Sequence, residues 1–422
     1  MDKYLLITLF LFANLFSQEI FLGDLNEDST VNVIDIIFTI NIILGSEPTN
    51  QQFQNGDVNE DLELNIQDVI IIVQIIMEVL CPEGQIQCSH STLNCCANSD
   101  IEFGTLTFGD YASDIFDSWI FTQNNIVAVG HIGVEDQGEH SGAKWDGENW
   151  ELIQLMYNGS PRSPRGIWAF SEIDIYLTTG SIYHWDGNSE YLITREWTID
   201  HENYPNESGR EIWASSAESI YFVGSGGGII HYNGSEFNRM ESGTDIELKD
   251  VWGIIDSDTG EETVWACGWN DMAESVFLVY NGESWEPVYD VQSLYWEYFY
   301  DQLSGGVSSV WATDDFLYVL TTTGLYKCPH DYQGEANLIL ESTWFENYWY
   351  QVRGTGDNDI FVVGYNQEIF HFNGEFWELL TYNSGDLLVN IQVSEETIIV
   401  GGHRFEGGPN LRALLLHGAR DE

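Results

Sequence analysis

Three textures of apolar and polar positions follow one another along the 422 residues. Lys3 precedes the apolar run YLLITLFLFANLF, which ends at Ser17 and Gln18. A basic start, an apolar centre and a small residue at a cleavage point predict a signal peptide over 1–17 and export of the remainder. The run is too short for a membrane span, and no later segment reaches the ~18 apolar residues a span needs. Over 18–80, the stretches VIDIIFTINIILG and IQDVIIIVQIIMEVL are apolar almost all round. They predict two short helices, the first stopping at Gly45, which bury against each other and leave a sticky face. From residue 101 the helical period disappears, and short β-rich runs alternate with glycine turns and aromatics.

That third texture repeats. Its clearest copy is EIWASSAESIYFVGSGGGIIHYNGSEFNRM, with related copies beginning near Trp119, Trp168, Trp213, Trp252, Trp311, Val352 and Ile391. The turn glycines Gly147, Gly187, Gly234 and Gly282 lie 40, 47 and 48 residues apart, and Gly374 follows 92 later across one degenerate unit. A period in the forties with three or four strands per unit predicts an all-β seven-bladed propeller over 101–422. The last copy lacks an outer strand, and IEFGTLTF at 101–108 is expected to supply it and close the ring. Asp-Gly and Asn-Gly pairs suit tight hairpins, and the aromatics beyond them suit packing between blades.

The second texture carries a duplicated polar loop, DLNEDSTVNVID at 24–35 and DVNEDLELNIQD at 57–68, 33 positions apart. Side-chain oxygens recur at loop positions 1, 3, 5, 9 and 12: Asp24, Asn26, Asp28, Asn32 and Asp35, then Asp57, Asn59, Asp61, Asn65 and Asp68. Calcium is a hard cation that takes six to eight oxygens, and ligands on alternate residues of a tight loop converge on one point. Thr30 and Glu63, at position 7, are placed to offer backbone carbonyls. Two Ca2+ ions are therefore expected.

A tandem of loop plus helix, with Asp at position 12 and no entering helix, resembles a dockerin, here over residues 23–80. The resemblance implies a small all-α module that binds calcium through the ten side chains just named and docks onto a cohesin-like domain of a scaffold protein. Position 6, usually Gly, is Ser29 in one copy and Leu62 in the other, and a left-handed Leu costs ~1–2 kcal/mol. The partner-reading positions 10 and 11 are Val33, Ile34, Ile66 and Gln67, more apolar than the hydroxyl pairs of many members. The propeller repeats resemble bacterial extracellular propellers of BNR-like or WD-like kind. The Asp-box order is not reproduced, so no catalytic residue carries over.

Charge narrows the partners. With 68 acidic and 13 basic residues the net charge is -55, which argues against nucleic acid and anionic lipid. Cys81, Cys88, Cys95 and Cys96 mark 81–100 as a Cys-rich linker, where disulfides are favoured over zinc in an exported chain. Cys267 and Cys328 suit either buried small side chains or a further bridge.

No nucleophile elbow, HExxH helix or phosphate loop is present. His184, His231, His371 and His417 recur before blade turns, which marks them as repeat positions. Aromatics cluster where one blade passes to the next, at Trp197, at Tyr295, Trp296 and Tyr298, and at Trp344, Tyr348 and Trp349. Exposed aromatics beside carboxylates suit a sugar ring or a protein epitope, and the competing reading is that these connections pack on one another. The favoured reading is a non-catalytic, secreted adaptor whose propeller binds a glycan or protein. The alternative is a polysaccharide-active hydrolase or lyase, recognisable by a funnel with convergent acids and nearby bases.

Overall fold

The computed structural model describes residues 101–187, 193–198, 208–257, 259–270, 274–291, 305–330, 336–342, 348–381, 385–406 and 410–420. It also describes positions 189, 303 and 383 and short stretches between 23 and 97. Two compact units are present, Met1–Asn98 and Ser99–Glu422.

The β-rich runs of the larger unit pair as seven four-stranded antiparallel sheets. Blade 1 runs through Tyr111–Thr122, Asn125–Val134, Gly138–Trp145 and Trp150–Ile153. The inner strands of blades 2 to 7 are Gly166–Ser171, Ser208–Ser216, Asp250–Ile255, Val307–Ala312, Trp349–Gly356 and Asp386–Val393. Ile101–Phe108 is the outer strand of blade 7, paired in register with Leu411–Arg420. The first strand thus closes the ring against the last, as its orphan position predicted, and covers the edge that Leu411–Arg420 would otherwise expose.

The core lies between blades. Val127, Val129, Ile167, Leu177 and Trp185 form one such layer between blades 1 and 2. Trp213, Tyr221, Val251, Val264 and Trp285 form another between blades 3 and 4. Repeat tryptophans drive this packing: a Cβ on Gly253 would meet the Trp213 ring at 2.6 Å, and one on Gly354 the Trp311 ring at 3.0 Å. Each large ring fits because the next inner strand offers a glycine. Cys267 and Cys328 are both free and buried, the small-side-chain alternative.

The hairpins at the recurring Gly turns have four-residue loops, with Trp145 facing Trp150, Tyr232 facing Phe237, Tyr280 facing Trp285 and Phe372 facing Trp377. Only the glycine takes positive φ (98° at Gly147, 92° at Gly374). The preceding Asp or Asn acts through its side chain instead: Asp146 Oδ1 accepts from the N–H groups of Glu148 and Asn149, and Asn233 Oδ1 from those of Ser235 and Glu236.

In the smaller unit, α1 spans Val33–Ile43 and α2 spans Asn50–Gly56. Helix α2 leads directly into the second polar loop, a correction to the expectation that neither loop has an entering helix. The linker holds a two-residue ladder of Gln85–Ile86 with Cys96–Ala97. The signal segment 1–17 and Cys81, Cys88 and Cys95 lie outside the described residues.

Candidate functional site

Two places gather chemistry. In the smaller unit, both position-12 carboxylates turn inward, Asp35 and Asp68 each having no exposed surface. Asp35 Oδ1 accepts from the N–H of Leu25 (2.9 Å) and of Asn26 (3.0 Å). Asp68 Oδ1 accepts from the Val58 N–H (3.1 Å) and its Oδ2 from the Asn65 N–H (2.9 Å). In both copies the last loop position therefore reaches back to the second, the equivalence that the duplication implies. Leu25 and Leu64 pack against Gly56, where a Cβ would meet their methyls at 3.0 and 2.9 Å.

No Lys or Arg occurs anywhere between Gln18 and Asp100, so no basic side chain of the module can offset these buried carboxylates. An oxygen-rich, cation-poor loop pair of this kind fits a hard divalent ion. Asp24, Asp28, Thr30, Asn32, Asp57, Asn59, Asp61 and Glu63 fall outside the described residues. Leu25, Val69 and Ile72 are buried, but four other apolar side chains are strongly exposed: Ile34 50 %, Ile37 52 %, Leu44 78 % and Ile66 62 %. That is the sticky face expected of helices apolar all round.

The second place is the propeller axis. A polar side chain stands two residues before the repeat Trp, or its equivalent, in most blades, and several latch one inner strand to another. Asp117 Oδ2 accepts from the Ile167 N–H (2.8 Å), Asp250 Oδ2 from that of Val310 (3.0 Å), Ser309 Oγ from that of Val352 (3.2 Å) and Gln351 Oε1 from that of Ile391 (2.7 Å). Ser118 Oγ donates to Asn390 Oδ1, joining blade 1 to blade 7. Arg353 occupies the Trp position of blade 6 and spans to blade 4, its Nη1 and Nη2 donating to Asp250 at 3.0 and 2.7 Å.

Burial dominates the electrostatics of this hub. It raises the Asp117 pKa to about 7 and pushes that of Glu211 well above the usual carboxylate range, with neighbouring carboxylates adding to the latter. Burial also opposes the Arg353 charge, but Asp250 outweighs it and raises that pKa.

One residue ahead of the polar ring, a second ring lines an axial cavity of about 150 Å³: Phe116, Arg165, Arg210, Lys249, Ser308, Tyr350 and Val389. In five blades this residue is the extra one of a β-bulge, skipped in pairing at Ile115/Asp117, Gly209/Glu211, Val307/Ser309, Trp349/Gln351 and Leu388/Asn390. In blades 2 and 4, Arg165 and Lys249 stand just ahead of the strand, bonded through their N–H to the Thr178 and Cys267 carbonyls (both 2.7 Å). A bulge re-aims a side chain out of the ladder, here toward the axis.

Blades 2, 3 and 4 thus present three cations side by side. Arg165 lies over the Phe116 ring (5.1 Å) and Lys249 over the Trp269 ring (4.1 Å), while Arg210 pairs with Glu247 (3.1 Å). Burial and the Arg210 charge both press the Arg165 pKa down. The sequence reading missed this ring, although RGIW, REIW and KDVW put a basic residue at one repeat position in three consecutive units.

The cavity lies where connections from outer strands reach inner ones, and Tyr348 stands just ahead of the inner strand of blade 6. Tyr348 is 57 % exposed and stacks on Trp269 (6.4 Å, 14° between planes). Trp197 ends the outer strand of blade 2 and packs against the layer between blades 2 and 3. Trp349 is 4 % exposed, donates from Nε1 to Glu368 (3.1 Å) and packs on Phe370, which corrects its placement among exposed ligand-binding aromatics. Tyr295, Trp296, Tyr298 and Trp344 fall outside the described residues.

The repeat histidines do turn to blade partners. His371 bridges Asp359 and Glu378, His184 meets Asp174, His231 meets Ser219, and His417 packs on Trp145. Among the described residues no helix is long and apolar enough to cross a membrane.

Comparison with known proteins separates the two units. A structure of YCF48 bound to D1 peptide is similar at a TM-score of 0.53 and 13 % identity, covering 81 % of this chain and all (100 %) of that one. The WD40 β-propeller domain of Doa1 is similar at 0.52 and 11 %, covering 74 % and 97 %. At such identities the likeness is one of fold. No curated protein matches the chain. The dockerin type I domain family matches residues 22–77, so the chain joins a dockerin type I segment to a seven-bladed β-propeller.

Proposed function

We propose that this protein is a secreted docking adaptor: residues 18–80 take two calcium ions and bind a cohesin-like domain, and the propeller over 101–422 is cargo that holds a glycan or protein ligand. The observation that carries the proposal is the dockerin type I match over a loop pair whose position-12 carboxylates, Asp35 and Asp68, close their loops from buried positions. The twelve loop residues Asp24, Asn26, Asp28, Thr30, Asn32, Asp35, Asp57, Asn59, Asp61, Glu63, Asn65 and Asp68 are the proposed ligands. The exposed Ile34, Ile37 and Ile66 supply an apolar docking face. Export follows from the leader-like segment at 1–17, ahead of a Cys-rich linker at 81–100.

Calcium titrated into the full chain tests the metal side. Binding to the folded loops stabilises them by mass action, so their melting temperature should rise with calcium and fall back with chelator. Asp35→Ala together with Asp68→Ala should abolish the response, and a full response in that variant contradicts the assignment.

For the propeller, the axial cavity and Tyr348 support the binding reading. YCF48, of similar fold, is solved with a peptide, so a protein ligand competes with a glycan. The hydrolase or lyase reading has one observation in its favour. Asp114 Oδ2 pairs with His403 (3.0 Å) in the cavity that Glu211 also lines. Release of reducing ends from a polysaccharide panel, lost in Glu211→Gln, would move the assignment to an enzyme.

A further inference from the structure

The propeller axis holds a charge of the wrong sign for this molecule. A chain of net charge -55 with 13 basic residues sets Arg165, Arg210 and Lys249 around one arc of a cavity of about 150 Å³. Bulges and strand starts at one repeat position aim all three there, so the arc is built by the fold rather than by chance surface neighbours.

Neighbouring carboxylates only partly answer these cations. Asp250 is held by both Arg353 nitrogens, and Glu247 is shared by Arg210 (3.1 Å) and Lys249 (3.8 Å). Asp114 faces His403. Arg165 lies over the Phe116 ring and forms no ion pair within 4 Å with any described residue, the carboxylates of Glu247 and Asp114 acting on it from further off. Glu211 also lines the cavity, and burial pushes its pKa well above the usual carboxylate range. Arg165, Arg210 and Lys249 thus form an arc of positive charge around the cavity that can receive one anionic group.

The rim beside Lys249 is aromatic. Trp269 lies under Lys249, and the exposed Tyr348 stacks parallel on it, a flat surface of the kind that receives a sugar ring. Ser308, Gln351 and Tyr350 offer donors and acceptors on the wall. Ligand pockets for drug-sized molecules run to about 300–1,000 Å³, so this cavity admits one ring and not a chain laid lengthwise. The acidic surface outside repels a polyanion, which favours a single acid on an otherwise neutral saccharide.

We infer that the axial cavity is a binding site for one uronic acid unit at the end of a saccharide, its carboxylate held by Arg165, Arg210 and Lys249 and its ring against Trp269 and Tyr348. This inference rests on the propeller being a glycan binder. The test titrates the full chain with D-glucuronate, D-galacturonate, D-glucose, a short neutral oligosaccharide and a peptide with a free C-terminal carboxylate. Binding is read by calorimetry and by tryptophan fluorescence.

One or both uronates should bind, D-glucose at least tenfold more weakly. Arg165→Ala should lose at least tenfold, Arg165→Lys less, and Tyr348→Ala severalfold, each with an unchanged melting temperature. Equal binding of neutral sugars, unaffected by Arg165→Ala, overturns the carboxylate site but leaves glycan binding standing. Peptide binding without uronate binding overturns both, as does a folded protein that binds nothing in the panel.

Discussion

At the residue scale, the hub rests on polar groups that accept hydrogen bonds from other blades. Asp250 is the most exposed to mutation in that sense: it holds Arg353, which has 7 % of its surface exposed, and the N–H of Val310. Removing one member of a buried ion pair strands the other, so Asp250→Ala should cost about 3–5 kcal/mol. Denaturant unfolding measures it, and Asp250→Leu combined with Arg353→Met should recover much of the loss.

Glu211 behaves oppositely. Its folded pKa is raised, so the native state holds a proton that the unfolded chain releases above its ordinary carboxylate value. Its contribution to stability is complete below that value and is lost as pH rises through the folded pKa. Glu211→Gln should therefore flatten the dependence of melting temperature on pH above about 4.5 and raise stability at pH 8. A variant with an unaltered slope would deny Glu211 this role. Neither residue stood out among 68 acids, because what distinguishes them is burial on the axis, which repeats reveal only once aligned on the Trp.

At the element scale, strands and turns were legible because two periodic signals agree, alternating apolar runs and Asx-Gly turns at fixed spacing. The turns differ in tolerance. A Cβ on Gly187 (φ 67°) would meet the Glu172 carbonyl oxygen at 1.8 Å, whereas one on Gly282 (φ 93°) meets nothing within 4 Å. Gly282→Ala should cost only the left-handed strain of about 1–2 kcal/mol, and Gly187→Ala clearly more, by parallel thermal melts.

The bulges were not legible. A bulge adds one residue without altering the hydrophobic alternation on either side, so nothing in the strand pattern around Arg210 marks it as turned toward the axis. Trp349 was misplaced for a related reason: it neighbours exposed aromatics in sequence, yet opens the inner strand of blade 6 and points into packing. Trp349→Ala should cost about 3–5 kcal/mol of stability rather than change binding alone.

At the scale of the whole molecule, ring closure and docking can be separated. Ile101–Phe108 caps blade 7 through eight register pairs, from Ile101 with Arg420 to Phe108 with Ala413. Closure covers the edge of the last blade's third strand, and the orphan strand before the first repeat announced it in the sequence. The docking segment was legible for another reason, a duplicated ligand spacing that chance does not produce, reinforced by the absence of Lys and Arg from 18 to 100.

The proposed docking function requires calcium to fold residues 18–80 into a surface that carries the propeller to a cohesin. Surface binding of the full chain to an immobilised type I cohesin, with calcium and then with chelator, tests it directly. Saturable binding that disappears on chelation and returns on adding calcium is the expected result; binding indifferent to calcium, or none in its presence across a panel of cohesins, contradicts it.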